Sequence, residues 1–502
     1  FSYNPRIGIM LREIKPGNIY DKNGVLLATS DKEQLRKHKQ KLFIAGADPT
    51  WYQQQLNRNQ KRYYPFGADL LFWLGDYNKE IAREESAGYA AEFRHFTALR
   101  GFEVTYTIIK KTSYRYKENK FLEPTVKESE LALYDYRALA SFIKAGKNSK
   151  LVDIHNKKEK DIWLSLDVTL NHAINQIIQS QAPFKNFRTS VIALNAKTGD
   201  VLASAINPAP SYKDLKLIGA IDAEDYRNIY KQIFNDRIVV PQDLGITYTS
   251  RPGSVVKIID AYAAINQYGL NAVNFSFFVY PSEVIRSNEP SNENVDMRKA
   301  IVKSSNVYFI KLINEKKLEA SLFNMYDLLG MNIHNRGGFN FKRPADYDSE
   351  KYFKEWNAFT SIGKNIYNTQ NKHLINTRKR LHSHYSDLAW GQGELMATPL
   401  HIAKMTAAIA NKDSLQPARF LYKAWNQPMT KDPAISITKH KGAYTYISSF
   451  MKEQSAATAS LTGLDVRGKT GSPERDKIIN QNGKTVRKRV TDAWYTFYVP
   501  SP

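Results

Sequence analysis

The stretch Pro252-Gly253-Ser254-Val255-Val256-Lys257, with the apolar run that follows it to Ile265, constrains this chain more than any other. Pro252 and Gly253 are turn residues. Val255 to Ile265 are mostly aliphatic, which predicts a turn opening into a buried helix. Ser254 then stands at the helix start and Lys257 one turn later. Residues three apart share a helix face, so the hydroxyl and the amine can meet. A serine hydroxyl is a poor nucleophile until a base takes its proton. A lysine amine becomes such a base when burial and the positive end of a helix disfavour its charged form.

The spacing has a plainer explanation, in which Ser254 caps the helix and Lys257 snorkels to water. Ser-x-x-Lys also occurs at Ser141/Lys144, Ser361/Lys364, Ser436/Lys439 and Ser449/Lys452, as expected of a lysine-rich chain. Only other parts of the sequence can separate the two readings.

A chain of 502 residues has room for two domains and a large core. The composition shifts near residue 160, which sets the expected division at 1–160 and 161–502. The absence of cysteine excludes disulfides, thiol nucleophiles and cysteine-based metal sites, and is compatible with an oxidising compartment such as a bacterial periplasm. The net charge of +23 points to anionic surroundings: nucleic acid, a membrane face or an acidic polymer. No apolar run of roughly 18 residues is present, and no signal peptide is visible. The chain begins at Phe1, so a targeting or anchoring segment is expected to be absent from it.

The first 160 residues are polar, basic and rich in tyrosine. Short alternating runs such as Phe102 to Ile108 predict strands, and Asp21-Lys22-Asn23-Gly24 predicts a turn into the strand Val25 to Ala28. No catalytic constellation is visible here. Lys110 to Lys117 is basic and aromatic enough to bind nucleic acid, but no nucleic-acid module accompanies it, and a solvated strand and turn is the favoured reading. Beyond 160, Leu170 to Ser180 predicts a helix. Ser190 to Leu194 and Val201 to Ile206 predict a hairpin around Asn195 to Asp200. Met297 to Val302 and Val307 to Ile313 predict two helices with Lys303-Ser304-Ser305-Asn306 at their junction. Residues 333 to 385 predict a polar surface excursion, with a helix near Glu350 to Phe359; His382 and His384 within it lack a third ligand, so no metal is expected. Thr398-Pro399 opens a predicted helix to Asn411. Val466 to Ser472 and Ala493 to Val499 predict paired strands flanking a polar hairpin.

Three short motifs thus stand in order: Ser254-x-x-Lys257, Ser304-x-Asn306 and Lys469-Thr470-Gly471. Lys197-Thr198-Gly199 also matches the third, but it precedes the serine and sits in a hairpin turn. The ordered set, each member in a fitting context, resembles the penicillin-binding proteins and serine β-lactamases. Arg251 to Lys257 is similar to the family's nucleophile segment. Gly391-Gln392-Gly393-Glu394, followed by Ala397-Thr398-Pro399-Leu400, is similar to the stretch before a long transpeptidase helix. Gly17 to Gly24, Arg62-Tyr63-Tyr64-Pro65, and Glu92 to Leu99-Arg100-Gly101 resemble the pedestal of class B members. The 333–385 excursion is longer and more basic than the family pattern. The family fold also continues past the equivalent of Val499.

The resemblance implies a mixed α+β fold: a transpeptidase domain, an antiparallel sheet flanked by helices, preceded by an elongated β-rich pedestal. It implies a serine acyltransferase that crosslinks peptidoglycan stem peptides at D-Ala-D-Ala and is inhibited by β-lactams. Ser254 would be the nucleophile and Lys257 its base. Ser304 would pass a proton to the leaving amine, and Asn306 would hold the substrate amide and orient Lys257. Lys469 and Thr470 would bind the terminal carboxylate, Gly471 would allow close approach, and the N–H groups of Ser254 and Ser472 would form the oxyanion hole. Lys257 is expected neutral and Lys469 charged. Neither cofactor, metal nor nucleic acid is implied. The implied partners are a membrane glycosyltransferase and other wall-synthesis proteins, met through the pedestal. The implied location is the periplasmic side of the bacterial envelope, with an inner-membrane anchor. A D,D-carboxypeptidase and a non-catalytic β-lactam sensor or scaffold remain alternatives from the same residues.

Overall fold

The computed structural model describes residues 5–75, 88–102, 106–115, 125–209, 243–333, 385–392, 395–481 and 484–500. The chain divides into two compact units, each assembled from separate segments. One holds residues 1–191, 202–243 and 419–431; the other holds 192–201, 244–418 and 432–502.

The first unit is built on a five-stranded sheet in the order Gln427–Pro428, Leu421–Ala424, Ile162–Leu164, Ile19–Tyr20, Leu26–Ala28. Ile19–Tyr20 runs parallel to Ile162–Leu164, while the other pairs are antiparallel. The predicted turn at Asp21 to Gly24 is present: the Gly24 N–H donates to Asp21 O at 3.0 Å. The fully buried Asp21 carboxylate accepts from the N–H groups of Asn23, Val25 and Val168. One side chain therefore ties the turn to the helix Val168–Ser180, which Asp167 caps. Helices Lys32–Ile44 and Pro49–Asn57 also appear. Their apolar periodicity is weak, but Asp31 and Asp48 each accept a first-turn N–H, which is the local signal that starts them. Tyr106–Arg115 pairs with Thr125–Tyr134 as a long antiparallel hairpin, so Lys110 to Arg115 lie on a strand; Tyr116 and Lys117 lie outside the described residues.

The three stretches of this unit singled out by resemblance meet at one buried ion pair. Arg62 Nε lies 2.6 Å from Glu92 Oε1 with both side chains buried, and its Nη1 donates to Gly17 O at 2.8 Å. Gly17 N in turn donates to Leu99 O at 2.7 Å. Arg100 is fully buried; it donates to the carbonyls of Leu11 and Phe96, and its guanidinium lies 3.6 Å from the Phe96 ring centroid.

The second unit packs around the helix Lys257–Tyr268, in which every residue from Lys257 to Ile265 is buried. Apart from Lys257 and Asp260 this stretch is apolar all round, and such a helix has to sit inside a core. Against it lie Met297–Val302, Asn306–Glu315, Glu319–Leu329 and Ala443–Gln454, and Pro399–Ala410 packs on the last two in the same core. Thr398 caps Pro399–Ala410 through the His401 N–H, as its Thr-Pro opening predicts. Arg467–Gly471 pairs antiparallel with Trp494–Tyr498, and Glu474–Gln481 with Lys484–Thr491. The Asn195–Asp200 turn closes through Asn195 N to Asp200 O at 2.9 Å, which leaves Lys197-Thr198-Gly199 in a tight turn. The excursion, including Glu350 to Phe359, His382 and His384, lies almost wholly outside the described residues.

Candidate active site

Residues of the three motifs converge within the second unit. Ser254 sits in the 3-10 turn Gly253–Val256, which runs directly into Lys257–Tyr268. The side chains of Ser254 and Lys257 are both buried. The other Ser-x-x-Lys pairs on described residues, Ser141/Lys144, Ser436/Lys439 and Ser449/Lys452, are exposed; Ser361/Lys364 lies outside them. Burial thus separates the first motif from its sequence look-alikes.

Ser304 ends the turn that follows Met297–Val302, with φ at +57°. That left-handed conformation costs a serine about 1–3 kcal/mol and has to be held by its surroundings. Its neighbour Ser305 takes the capping role, accepting the Tyr308 N–H at 3.2 Å at the start of Asn306–Glu315. Ser305 is thus the helix cap, and Ser304 faces the other motifs.

Lys257 Nζ donates to Asn306 Oδ1 at 2.7 Å and to Ser304 O at 2.6 Å, and lies 3.3 Å from Ser304 Oγ. From the strand Arg467–Gly471, Lys469 Nζ donates to Ser304 Oγ at 3.0 Å and to Thr470 O at 2.9 Å. One hydroxyl thus stands between two buried amines. Among the described residues no hydrogen bond joins Ser254 Oγ to Lys257 Nζ; the amine rests on the second motif instead.

Electrostatics follow from that burial. Desolvation, then the Lys469 ammonium, hold Lys257 well below the usual lysine range, with Arg286 a smaller push the same way. Glu289 and Asp260 pull in the opposite direction. Burial also lowers Lys469, to about 7. Without a bound anion Lys469 is therefore close to its own midpoint at neutral pH, not the fixed cation that its expected task suggests. Asp260, one turn beyond Lys257, is fully buried, and burial holds its carboxyl well above the usual range. Neither of its oxygens has a hydrogen-bond partner among the described residues.

Strand alternation sends Lys469 inward and leaves Thr470 exposed, where its hydroxyl accepts from Gln454 Nε2 at 3.1 Å. Gly471 is required by a close approach. A Cβ there would stand 2.8 Å from Pro252 O and 3.2 Å from Ser254 N, so this strand seats directly against the Ser254 turn. Gly391, at φ +71°, approaches from the other side: a Cβ would meet Gly253 O at 2.2 Å, and Gly253 N donates to Gly391 O at 3.0 Å. Gly393 and Glu394 lie outside the described residues.

Two neighbours escape sequence reasoning. Glu289 is buried; its carboxylate accepts from Asn306 N at 2.6 Å, Asn306 Nδ2 at 2.8 Å and Val307 N at 3.3 Å. Arg286 Nη2 donates to Ser472 O at 2.6 Å. Both lie in the polar run Arg286-Ser287-Asn288-Glu289, which has no periodicity or motif to mark it.

Residues 189–502 match the family described as the penicillin binding protein transpeptidase domain. The chain is similar to the peptidoglycan D,D-transpeptidase MrdA of Acinetobacter baumannii, at 26% identity over 264 residues, covering 51% of this chain and 34% of that protein. It is also similar to MrdA of Haemophilus influenzae, at 22% identity over 371 residues, covering 68% of this chain and 51% of that protein. It spans between a third and about half of the length of these relatives. Among solved structures it is similar to the imipenem acyl-enzyme complex of penicillin-binding protein A from Mycobacterium tuberculosis. That likeness has a TM-score of 0.53 at 14% identity, with 97% of this chain and 91% of that one covered, and is a likeness of fold. Ser254, Ser304 and Lys469 all fall inside the matched span, and the chain belongs to the penicillin-binding protein transpeptidase family.

Proposed function

We propose that this chain is a serine D,D-transpeptidase that crosslinks peptidoglycan stem peptides ending in D-Ala-D-Ala and is acylated by β-lactams. The observation that carries the reading is the convergence of three sequence-distant motifs on Ser304 Oγ, between the amines of Lys257 and Lys469.

In this reading Ser254 Oγ attacks the carbonyl of the penultimate D-Ala as its proton passes to neutral Lys257. The negative oxygen that forms is met by the N–H groups of Ser254 and Ser472. Collapse breaks the peptide bond, and the departing D-Ala amine takes a proton through the Ser304 hydroxyl, which touches both lysines. Asn306 orients Lys257 and offers its remaining N–H to the substrate. Lys469 receives the terminal carboxylate, whose charge restores its protonated form, and Thr470 joins it by turning its hydroxyl from Gln454. An amine of a second stem peptide then attacks the acyl carbonyl, forms the crosslink and frees Ser254. The hydrogen bond between Ser254 and Lys257 that this step needs would form on substrate binding, as catalytic hydrogen bonds often do.

Residues 1–160 serve in this reading as a non-catalytic pedestal for a membrane glycosyltransferase and other wall-synthesis proteins. The chain works outside the cytoplasm, held at the membrane by an N-terminal segment. Among the described residues no helix is long and apolar enough to cross a membrane itself.

Penicillin treatment followed by peptide mapping in a mass spectrometer tests the assignment. One adduct, on Ser254, is expected, and an adduct on Ser141, Ser361, Ser436 or Ser449 would overturn it. A covalent adduct without turnover of a donor and acceptor peptide pair would point to a sensor, and release of D-Ala without a crosslink to a carboxypeptidase.

A further inference from the structure

The Asn306 amide has two chemically opposite ends, and which end faces Lys257 decides what the lysine can do. An amide oxygen toward Nζ accepts one of its protons. An amide nitrogen toward Nζ donates a proton to it and occupies the lone pair of the neutral amine. Nothing within the Ser-x-Asn motif chooses between them, and the choice falls to Glu289.

We propose that Glu289 is a positioning residue of the transpeptidase site, locking the Asn306 amide with its oxygen toward Lys257 and so keeping the lysine lone pair open for the Ser254 proton. The inference rests on the function proposed above. An ionised carboxylate has acceptors only, so the Asn306 group that faces Glu289 Oε1 at 2.8 Å has to be Nδ2. Oδ1 then points the other way, 2.7 Å from Lys257 Nζ. The second carboxylate oxygen is committed to Asn306 N at 2.6 Å and Val307 N at 3.3 Å, the first free N–H groups of the helix Asn306–Glu315. Glu289 therefore cannot rotate without abandoning backbone donors. Neutral Lys257 spends its two N–H groups on Ser304 O and Asn306 Oδ1, which leaves its lone pair uncommitted.

Glu289 is one end of the turn Arg286-Ser287-Asn288-Glu289. Arg286 N donates to Glu289 Oε1 at 3.2 Å, and the Arg286 guanidinium holds Ser472 O. The same four residues thus brace the second motif with one side chain and the end of the third with another.

Glu289→Gln is the discriminating variant because it keeps shape and inverts the hydrogen-bond pattern. Two backbone N–H groups meet Oε2 and only Arg286 N meets Oε1, so the glutamine oxygen takes the Oε2 place and its NH2 faces Asn306, at the loss of the Arg286 N contact. The Asn306 amide then turns, with its nitrogen toward Lys257. The expected result is a roughly 10- to 100-fold lower second-order acylation rate at pH 7 with unchanged thermal unfolding. Removing the anion also moves the Lys257 titration to lower pH, since Glu289 raises it while Lys469 and Arg286 lower it and Asp260 raises it. That shift is read directly by NMR of ε-13C-lysine protein, the Lys257 signal being identified by its loss in Lys257→Arg. Asn306→Ala should cancel the effect: adding Glu289→Gln to it should cost less than about threefold more. Glu289→Asp, which keeps the charge, should recover part of the rate.

An unmoved Lys257 titration together with a near wild-type rate in Glu289→Gln overturns the proposal. So does a rate loss that persists undiminished in the Asn306→Ala background, which would mark a purely structural role. The titration needs no substrate. A wild-type protein that fails to acylate while its Lys257 signal shifts as described would sink the proposed function and leave the positioning role standing.

Discussion

Replacing Lys257 by arginine tests the proposal that this lysine is the base and Lys469 the carboxylate anchor. The site encloses Lys257 completely, and desolvation beside Lys469 holds it well below the usual lysine range. At pH 7 an ordinary lysine is neutral in only about one molecule in 2,500, so this depression is what makes the amine available as a base. A guanidinium, with a pKa above about 12, is neutral in fewer than about one molecule in 100,000. The loss is capped by what a general base contributes, about 10²- to 10⁴-fold, or roughly 2.7–5.5 kcal/mol of transition-state stabilisation. The permanent charge also faces Lys469, already lowered to about 7 by burial, and pushes it further toward neutrality. Carboxylate capture weakens in the same variant. The assay is the second-order rate of acylation by a fluorescent penicillin at pH 7, on protein whose thermal unfolding shows it folded. Lys469→Arg is the companion, in which charge is kept and mainly geometry is lost, a milder defect. A Lys257→Arg protein acylating within tenfold of wild type, beside an inert Lys469→Arg, would refute the assignment of the base.

Three further outcomes follow from the structure. With a carboxylate-bearing β-lactam, the acylation rate should fall as pH rises past about 7, because free Lys469 loses its proton there; Lys469→Arg should push that alkaline limb to higher pH, and an unmoved limb would count against Lys469 as the anchor. Glu92→Ala strands the Arg62 charge in a buried setting and should destabilise the first unit by about 3–5 kcal/mol in denaturant unfolding, whereas a change under about 1 kcal/mol would mean the pair is not buried in solution. Burial raises the Asp260 carboxyl well above the usual range, so its contribution to stability is fully present below its unfolded pKa and is lost as pH rises through the folded one. Asp260→Asn should remove that fall over the interval above about 3.9, read as variant minus wild type in a pH series of unfolding midpoints.

Local chemistry made much of this protein legible from one dimension. Pro252-Gly253 before an aliphatic run determined a turn and a buried helix, and the period of that run placed Ser254 and Lys257 one turn apart. Thr398-Pro399 determined a helix start, and the Asn195–Asp200 segment a turn, because caps and turns are built from neighbours in sequence. The order of the three motifs, and with it the family, was legible for the same reason. The tertiary structure decided which of two adjacent serines does what: Ser305 caps its helix and Ser304 stands between two lysines. It also decided that Lys257 rests on Asn306 and Ser304 in place of Ser254, that Gly471 packs on the Ser254 turn, and that Glu289 and Arg286 reach Asn306 and Ser472. Those contacts join residues distant in sequence, and a lone glutamate in a polar loop carries no periodic or spacing signal. Lys469 shows the division most plainly. Its residue type implies a cation at any ordinary pH, but its charge is set by desolvation, and desolvation exists only once the chain has closed around it.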